Sequence, residues 1–219
     1  MKIVAISDIH GNAASIDRLS PVLESADLVL VSGDITNFGG RREAAEVFDR
    51  LAGHARRILA VPGNCDRGEV GAYLNEKGMN LEHTAVEIEG MFLSGLGGAL
   101  SGPVPTPYEH NDAEIGKALA DSVSGLPRGA PLVILSHQPP FGTKADQVRG
   151  GRNVGSRALR EFLEEHQPLA CFCGHIHESP GLDSIGETKV ANPGPLPQGG
   201  YAWAEWEGGG LKVELKSVK

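Results

Sequence analysis

The chain has 219 residues, with 28 Asp and Glu against 20 Lys and Arg and a formal charge of −8. That balance excludes broad electrostatic binding to nucleic acid or to an anionic membrane, and a small anionic substrate would then need added cations. Three cysteines give no disulfide framework and suit a reducing compartment, so a cytoplasmic protein is expected.

After Met1-Lys2 only Ile3 to Ile6 are apolar before Ser7-Asp8, too few for a secretory leader, and no run in the chain is long enough to span a bilayer. The length fits one domain over 1–219. KIVAIS, ending at Asp8, reads as a buried strand. Asn12 to Ser25 has helical character, but Pro21 would remove a backbone hydrogen bond from a single helix, so Ser20-Pro21 is expected to start a second short one. DLVLVS runs into Gly33-Asp34, and Arg41 to Leu51 follows as a helix with Ala45, Phe48 and Leu51 on one face. RRILAV runs into Gly63-Asn64, and Thr84 to Leu96 reads as two strands about Glu89-Gly90. Pro103, Pro105 and Pro107 then stiffen a connection. PLVILS runs into His137, Ser156 fits the N-cap of a helix to His166, and PLACFC runs into Gly174-His175. Cys171 and Cys173 alternate with Phe172, so both thiols share one strand face as core fillers. Leu182 to Ala191 and Tyr201 to Val218 read as hairpins about Gly186 and about Gly208 to Gly210. Alternating strands and helices argue for βαβ units and a largely parallel sheet, and the hairpins for a second sheet or for antiparallel edges packed on it.

The strand ends carry the chemistry. Asp8-x-His10, Asp34, Asn64, His137 and His175-x-His177 each follow an apolar run, and the carboxyl ends of strands in open α/β sheets converge on one crevice. Four imidazoles, two carboxylates and one amide oxygen suit Mn, Fe, Zn or Ni and not Ca. Seven such residues exceed the needs of one ion, whereas two divalent cations roughly 3.5–4 Å apart, sharing a carboxylate, would use them all. Each fragment alone has an ordinary structural explanation as a turn carboxylate or a loop histidine, and it is their joint occurrence that points to a hydrolytic centre.

The blocks Asp8-Ile9-His10, Gly33-Asp34, Gly63-Asn64-Cys65-Asp66, His137 and Gly174-His175-Ile176-His177 resemble, in order and spacing, the calcineurin-like metallophosphoesterase superfamily. The G-N-C-D block is similar to that of its short bacterial and archaeal phosphodiesterase branch. The resemblance implies an α/β fold of two stacked mixed β-sheets flanked by helices, a four-layer α-β-β-α sandwich. It implies two divalent metal ions, with Mn²⁺ first and Fe, Zn or Ni as substitutes. Asp8, His10, Asp34 and His177 would hold one ion and Asp34, Asn64, His137 and His175 the other, with Asp34 as the bridge. The implied activity is hydrolysis of a phosphate ester by in-line attack of a metal-bridging hydroxide, with Asp34, Asn64 and His137 as the catalytic set. A phosphodiesterase acting on a small phosphate ester is the leading reading; the alternatives are a non-catalytic protein-binding scaffold of the same fold, a phosphomonoesterase or a nuclease.

Two departures from the wider pattern matter. Ile35-Thr36-Asn37 follows Gly33-Asp34, so the phosphate-binding Arg of the Ser/Thr protein phosphatases is missing. Cys65 stands where many members carry an imidazole near the leaving group, and it is expected to be neither nucleophile nor ligand. Arg152 and Asn153, with Arg149 in a Gly150-Gly151 loop, are the candidate substrate contacts along with Asn64. His110 could stand in for the missing imidazole, although an exposed loop histidine is the simpler reading. Backbone carbonyls of Asn192 to Gly194 are candidates to orient the metal-binding imidazoles.

Overall fold

The computed structural model describes residues 1–218. Strand β1 (Lys2–Ile6), helix α1 (Ala13–Glu24), β2 (Leu28–Ser32), α2 (Arg41–Ala52), β3 (Ile58–Val61) and α3 (Gly68–Glu76) form a continuous βαβαβα series. There follow β4 (Ala85–Ile88), β5 (Met91–Leu96), the short β6 (Ala99–Leu100) and β7 (Glu109–His110), α4 (Asp112–Val123) and β8 (Leu132–Ser136). The chain continues through β9 (Gln147–Val148), β10 (Arg152–Asn153), α5 (Arg157–His166), β11 (Ala170–Phe172), β12 (Gly181–Ile185) and β13 (Thr188–Asn192). It closes with β14 (Gly200–Glu207) and β15 (Gly210–Ser217).

Two mixed sheets result, one in the order β15-β14-β1-β2-β3 and the other β12-β13-β11-β8-β5-β4. Each has a parallel centre: β1, β2 and β3 in the first, and β5, β8, β11 and β13 in the second. The hairpins read from the sequence form the antiparallel edges, β14–β15 on the first sheet, and β12–β13 and β4–β5 on the second. The two mixed sheets that the resemblance implies are thus present, and the parallel strands, which strand–helix alternation alone would place in one sheet, are divided between them.

The two-residue side-chain period of a strand sorts each apolar run into two layers. Ile3, Ala5, Leu28, Leu30 and Leu59 face Leu93, Val133, Leu135 and Phe172 in a core between the sheets. Val4, Ile6, Val29 and Val31 face the opposite way, onto Leu19, Leu23, Phe48 and Leu51 of α1 and α2. On the far side, Ile134, Cys171 and Cys173 pack on Ile115, Leu119, Leu159 and Leu163 of α4 and α5. Burial on both faces explains why these strands are continuously apolar. Both cysteines fill the core as the alternation predicts.

Helix α1 corrects one expectation, for it runs unbroken from Ala13 to Glu24 through Pro21. Pro21 is exposed and sits one turn from the end, so only one interior carbonyl loses its helical donor. Buried Ile16, Leu19 and Leu23 hold the segment on the sheet, and the Asn12 side chain caps its start by accepting from the Ser15 N–H. Ser156 caps α5 as expected, accepting from the Leu159 N–H. Among the described residues no helix is long and apolar enough to cross a membrane.

Candidate metal centre

Asp8, Asp34, Asn64, His137 and His175 all lie just past the carboxyl ends of β1, β2, β3, β8 and β11, and the first three come from one sheet and the last two from the other. The loops are stitched across this seam by direct bonds. The His175 N–H faces both Asp8 carboxylate oxygens at 3.3 and 3.2 Å, the Cys65 N–H donates to Asp34 Oδ1 at 2.8 Å, and His137 Nδ1 donates to the Ser32 carbonyl at 2.8 Å. Since a carbonyl only accepts, that last bond fixes the proton on Nδ1 and turns Nε2 toward Asn64 Oδ1 (2.9 Å) and Asp34 Oδ1 (3.4 Å).

Asp8, His10, Asp34 and His177 each present one ligand atom, and these four atoms lie within 4.8 Å of one another. Two ring nitrogens, His10 Nε2 and His177 Nε2, face each other at 3.3 Å, and His177 Nε2 is 3.2 Å from Asp8 Oδ1. His10 Nδ1 is buried without a hydrogen-bond partner among the described residues. On the other side of Asp34, the rings of His137 and His175 lie edge to face with centroids 5.1 Å apart. Nitrogen and oxygen ligand atoms thus crowd together, an arrangement that suits divalent cations of the N,O-preferring kind. Asp34 lies between the two groups, with Oδ1 toward His137 and Oδ2 3.8 Å from His10 Nε2.

Backbone conformation at the site is unusual. Asp8 (φ 54°), His10 (φ 49°), Asp34 (φ 47°) and His175 (φ 67°) all occupy the left-handed region, which costs a non-glycine residue on the order of 1–3 kcal/mol and clusters at functional sites. Close approach of the loops also restricts the glycines. A Cβ at Gly63 would overlap the Asp34 backbone nitrogen and Oδ1, and one at Gly174 would overlap the Ser7 hydroxyl and crowd the Asp8 carboxylate.

Two side chains outside the candidate ligand set support these loops. The buried Asp66 carboxylate accepts from the N–H groups of Ile35 (3.0 Å), Thr36 (2.8 Å) and Gly63 (2.7 Å) and from the Thr36 hydroxyl (2.7 Å), tying the Asp34 loop to the Asn64 loop. It is the last residue of the G-N-C-D block, which was the available signal. Asn192 donates its amide to the Ile176 carbonyl at 3.0 Å and accepts from the Gly194 N–H at 2.9 Å. The expected role of the Asn192 to Gly194 carbonyls is therefore corrected: the Asn192 side chain braces the His175 to His177 turn, and it is the Ser32 carbonyl that orients His137.

The remaining candidates are placed as follows. Arg152 is exposed on the β9–β10 hairpin, which is tied to the His177 turn through Arg149 N–H to Glu178 Oε1 at 3.3 Å. Asn153 spends its amide on Asp146 Oδ1 at 2.6 Å, where it joins the N–H groups of Gly142, Thr143 and Gly155 around one buried carboxylate. His110 is largely buried rather than exposed, with its ring 4.7 Å from that of Tyr108 and Nε2 without a hydrogen-bond partner among the described residues. Cys65 is buried, with its amide on Asp34 Oδ1 and its sulfur accepting from Asn64 Nδ2 at 3.8 Å.

Electrostatics follow from this packing in the metal-free chain. Burial raises the Asp8 carboxyl, but the His177 hydrogen bond and the neighbouring imidazoles outweigh it and bring it to about 2. Burial, helped by the positive His137, pulls His175 down to about 4, so its ring is neutral and ready to donate a lone pair. For His137 burial works downward, yet Asp34 and Asp8 hold it above the usual imidazole range. The Cys65 thiol is pushed well up by burial and by Asp34, so no thiolate forms at neutral pH.

Comparison with known proteins agrees with this architecture. Residues 1–179 match the family model described as calcineurin-like phosphoesterase. The chain is 38% identical over 203 residues to the uncharacterised protein MJ1162 of Methanocaldococcus jannaschii, covering 89% of this chain and 88% of that one. It is 34% identical over 74 residues to phosphodiesterase YfcE of Escherichia coli, a stretch that covers 30% of this chain and 40% of that protein. The crystal structure of TT1561 from Thermus thermophilus superimposes over 100% of this chain and 99% of its own, with a TM-score of 0.76 at 22% identity, and so shares the fold. A match that takes in both Asp8-x-His10 and His175-x-His177, on two stacked sheets whose strand ends meet at those residues, establishes that the chain belongs to the calcineurin-like phosphoesterase family.

Proposed function

We propose that the chain is a phosphodiesterase with a dinuclear metal centre, in which Asp34 bridges, Asp8, His10 and His177 complete one site, and Asn64, His137 and His175 complete the other. The observation that carries the reading is the position of Asp34, whose two oxygens face the separate groups around His10 and His137. Two bound cations would supply the positive charge that holds phosphate oxygens and lowers the pKa of an attacking water. The chain's own part is to keep the donors in place, with Asp8 and His175 already in their metal-binding protonation states. Asp8, held at about 2, is ionised throughout the neutral range, and His175, held at about 4, needs no proton removed before it binds. His137 has its tautomer set by Ser32. Mn²⁺ is the first choice of metal for this mixed N,O set, with Fe, Zn and Ni as substitutes.

Preference for diesters is supported by what stands at residue 65. A buried, protonated thiol is a poor substitute for an imidazole acid, whose contribution is typically about 10²–10⁴-fold, so leaving groups that depart without a proton are favoured. Activated and nucleotide-type diesters meet that condition better than alkyl monoesters. The exposed Arg152 remains a phosphate contact in this reading, whereas Asn153 acts through Asp146 to hold the hairpin. Three free, buried cysteines accord with a cytoplasmic setting. The test is a hydrolysis panel of bis(p-nitrophenyl) phosphate, p-nitrophenyl phosphate and nucleotide diesters on metal-free protein and after addition of each metal. The expected result is no turnover without metal and a kcat/KM for the diester well above that for the monoester. Equal turnover before and after chelation, or a clear monoester preference, would overturn the proposal.

A further inference from the structure

A cleft of about 630 Å³ flanks the segment that carries Asn64. Pro62 and Arg67, on either side of the Gly63 to Asp66 block, form part of its wall. Tyr108 forms another part while its backbone N–H bonds the Asn64 carbonyl at 3.1 Å. The volume falls in the range of small-ligand sites, roughly 300–1,000 Å³.

Its lining is chemically specific. The wall from α3 is bare at its start, since a Cβ added at Gly68 meets nothing within 4 Å and one at Gly71 meets only Glu82 Oε2, at 4.0 Å, with Ala72 and Asn75 beyond. Such a surface admits a flat ring. Facing it is the Glu82 carboxylate, whose Oε1 is fixed by the Tyr108 hydroxyl (2.8 Å) and the Gly97 N–H (3.0 Å), while Oε2 has no protein donor among the described residues. Asn75 accepts from Asn80 through Oδ1 at 3.0 Å, which leaves its amide nitrogen to donate. Arg67 is exposed on the wall just past the Gly63 to Asp66 block and forms no ion pair among the described residues. An exposed cation, a stretch of wall without side chains, one anchored acceptor and one free donor match a nucleoside phosphate: phosphate toward Arg67, ring on Gly68 and Gly71, and sugar hydroxyls or a ring amine on Glu82.

We infer that this cleft binds the nucleoside part of a nucleotide diester whose phosphorus lies at the metal centre. The inference rests on the phosphodiesterase reading and names its substrate class.

The experiment fills the cleft and compares two diesters with the same leaving group. Gly71→Leu places a side chain in open space on a regular helix, where replacing glycine favours folding. With Mn²⁺ present, kcat/KM is measured for the p-nitrophenyl ester of thymidine 5′-monophosphate and for methyl p-nitrophenyl phosphate, which has no nucleoside. The expected result is that the ratio of the two, nucleoside over methyl, falls at least about tenfold in Gly71→Leu, mainly through KM, and falls in the same direction in Glu82→Gln. An unchanged ratio in both variants would overturn the inference while leaving the phosphodiesterase intact. In parallel, thymidine 5′-monophosphate is titrated calorimetrically into the metal-free protein. Binding to the wild-type chain that is lost in Gly71→Leu supports the cleft even if no ester is hydrolysed, the outcome that would instead defeat the phosphodiesterase reading; no difference between the two proteins counts against the cleft.

Discussion

Cys65 shows how little a residue's type decides before its surroundings are known. Its backbone N–H holds Asp34 Oδ1, while burial and the Asp34 charge keep its thiol protonated, so it brings to the site a main-chain donor and a neutral sulfur 3.8 Å from Asn64 Nδ2, a contact that a serine hydroxyl can also accept. Cys65→Ser is therefore expected to keep kcat/KM within about threefold of wild type, and a loss beyond about a hundredfold with both metals still bound would show that sulfur takes part directly. His175 makes the opposite case, because there burial changes the side chain's own chemistry. Its proton affinity is lowered from the ordinary 6.5 to about 4 in the folded, metal-free protein. The unfolded chain then binds a proton that the folded one refuses, so this group's contribution to stability is present above 6.5 and is lost as pH falls from there toward about 4. His137 and His177 are shifted upward, and their contributions run the other way. A residue-resolved NMR titration of the metal-free protein separates the three: His175 should titrate well below His137 and His177, and titration at or above 6.5 would contradict the burial argument.

Elements were legible wherever one run of sequence contained the whole signal. KIVAIS, DLVLVS, RRILAV, PLVILS and PLACFC are apolar without alternation because each strand is covered on both faces, and each stops where its loop turns toward the centre. The hairpins at Glu89-Gly90, Gly186 and Gly208 to Gly210 were legible for the same local reason. Strand order was not, because nothing within β5 or β8 tells which of two parallel groups it joins. Asp66 escaped notice as a support because its donors at Ile35 and Thr36 lie about thirty residues away in sequence. Pro21 misled because its local cost is real while the buried face of α1 outweighs it. That cost should be recoverable: Pro21 is exposed, and Pro21→Ala restores a helical N–H without touching the core. A gain of roughly 1–3 kcal/mol in chemical denaturation is expected, and a loss would mean that the proline's restriction of the unfolded chain is worth more than the missing bond.

At the scale of the molecule, the candidate centre lies across the joint between the two sheets. The first sheet brings Asp8, His10, Asp34 and Asn64, and the second brings His137, His175 and His177, so each proposed cation would take ligands from both. The core between the sheets, built from residues such as Leu30, Leu93, Leu135 and Phe172, already holds them together, and the metal-free chain should therefore be folded. Metal then acts as a clamp on a formed structure. A ligand that binds only the folded state adds about 2.7 kcal/mol when present at roughly 100 times its dissociation constant. For a chain of this length about 2–4 °C accompanies each kcal/mol, so Mn²⁺ should raise the melting temperature by roughly 5–10 °C for one ion and further for two. Asp34→Asn should remove most of that shift, because one carboxylate serves both groups, whereas His177→Ala should leave the part due to the His137 group. Differential scanning calorimetry with and without metal, paired with metal counts on the same samples, separates these cases. An Asp34→Asn protein that kept two ions and the full shift would rule out the bridge, and a His177→Ala protein that lost both ions together would rule out the division into two sites.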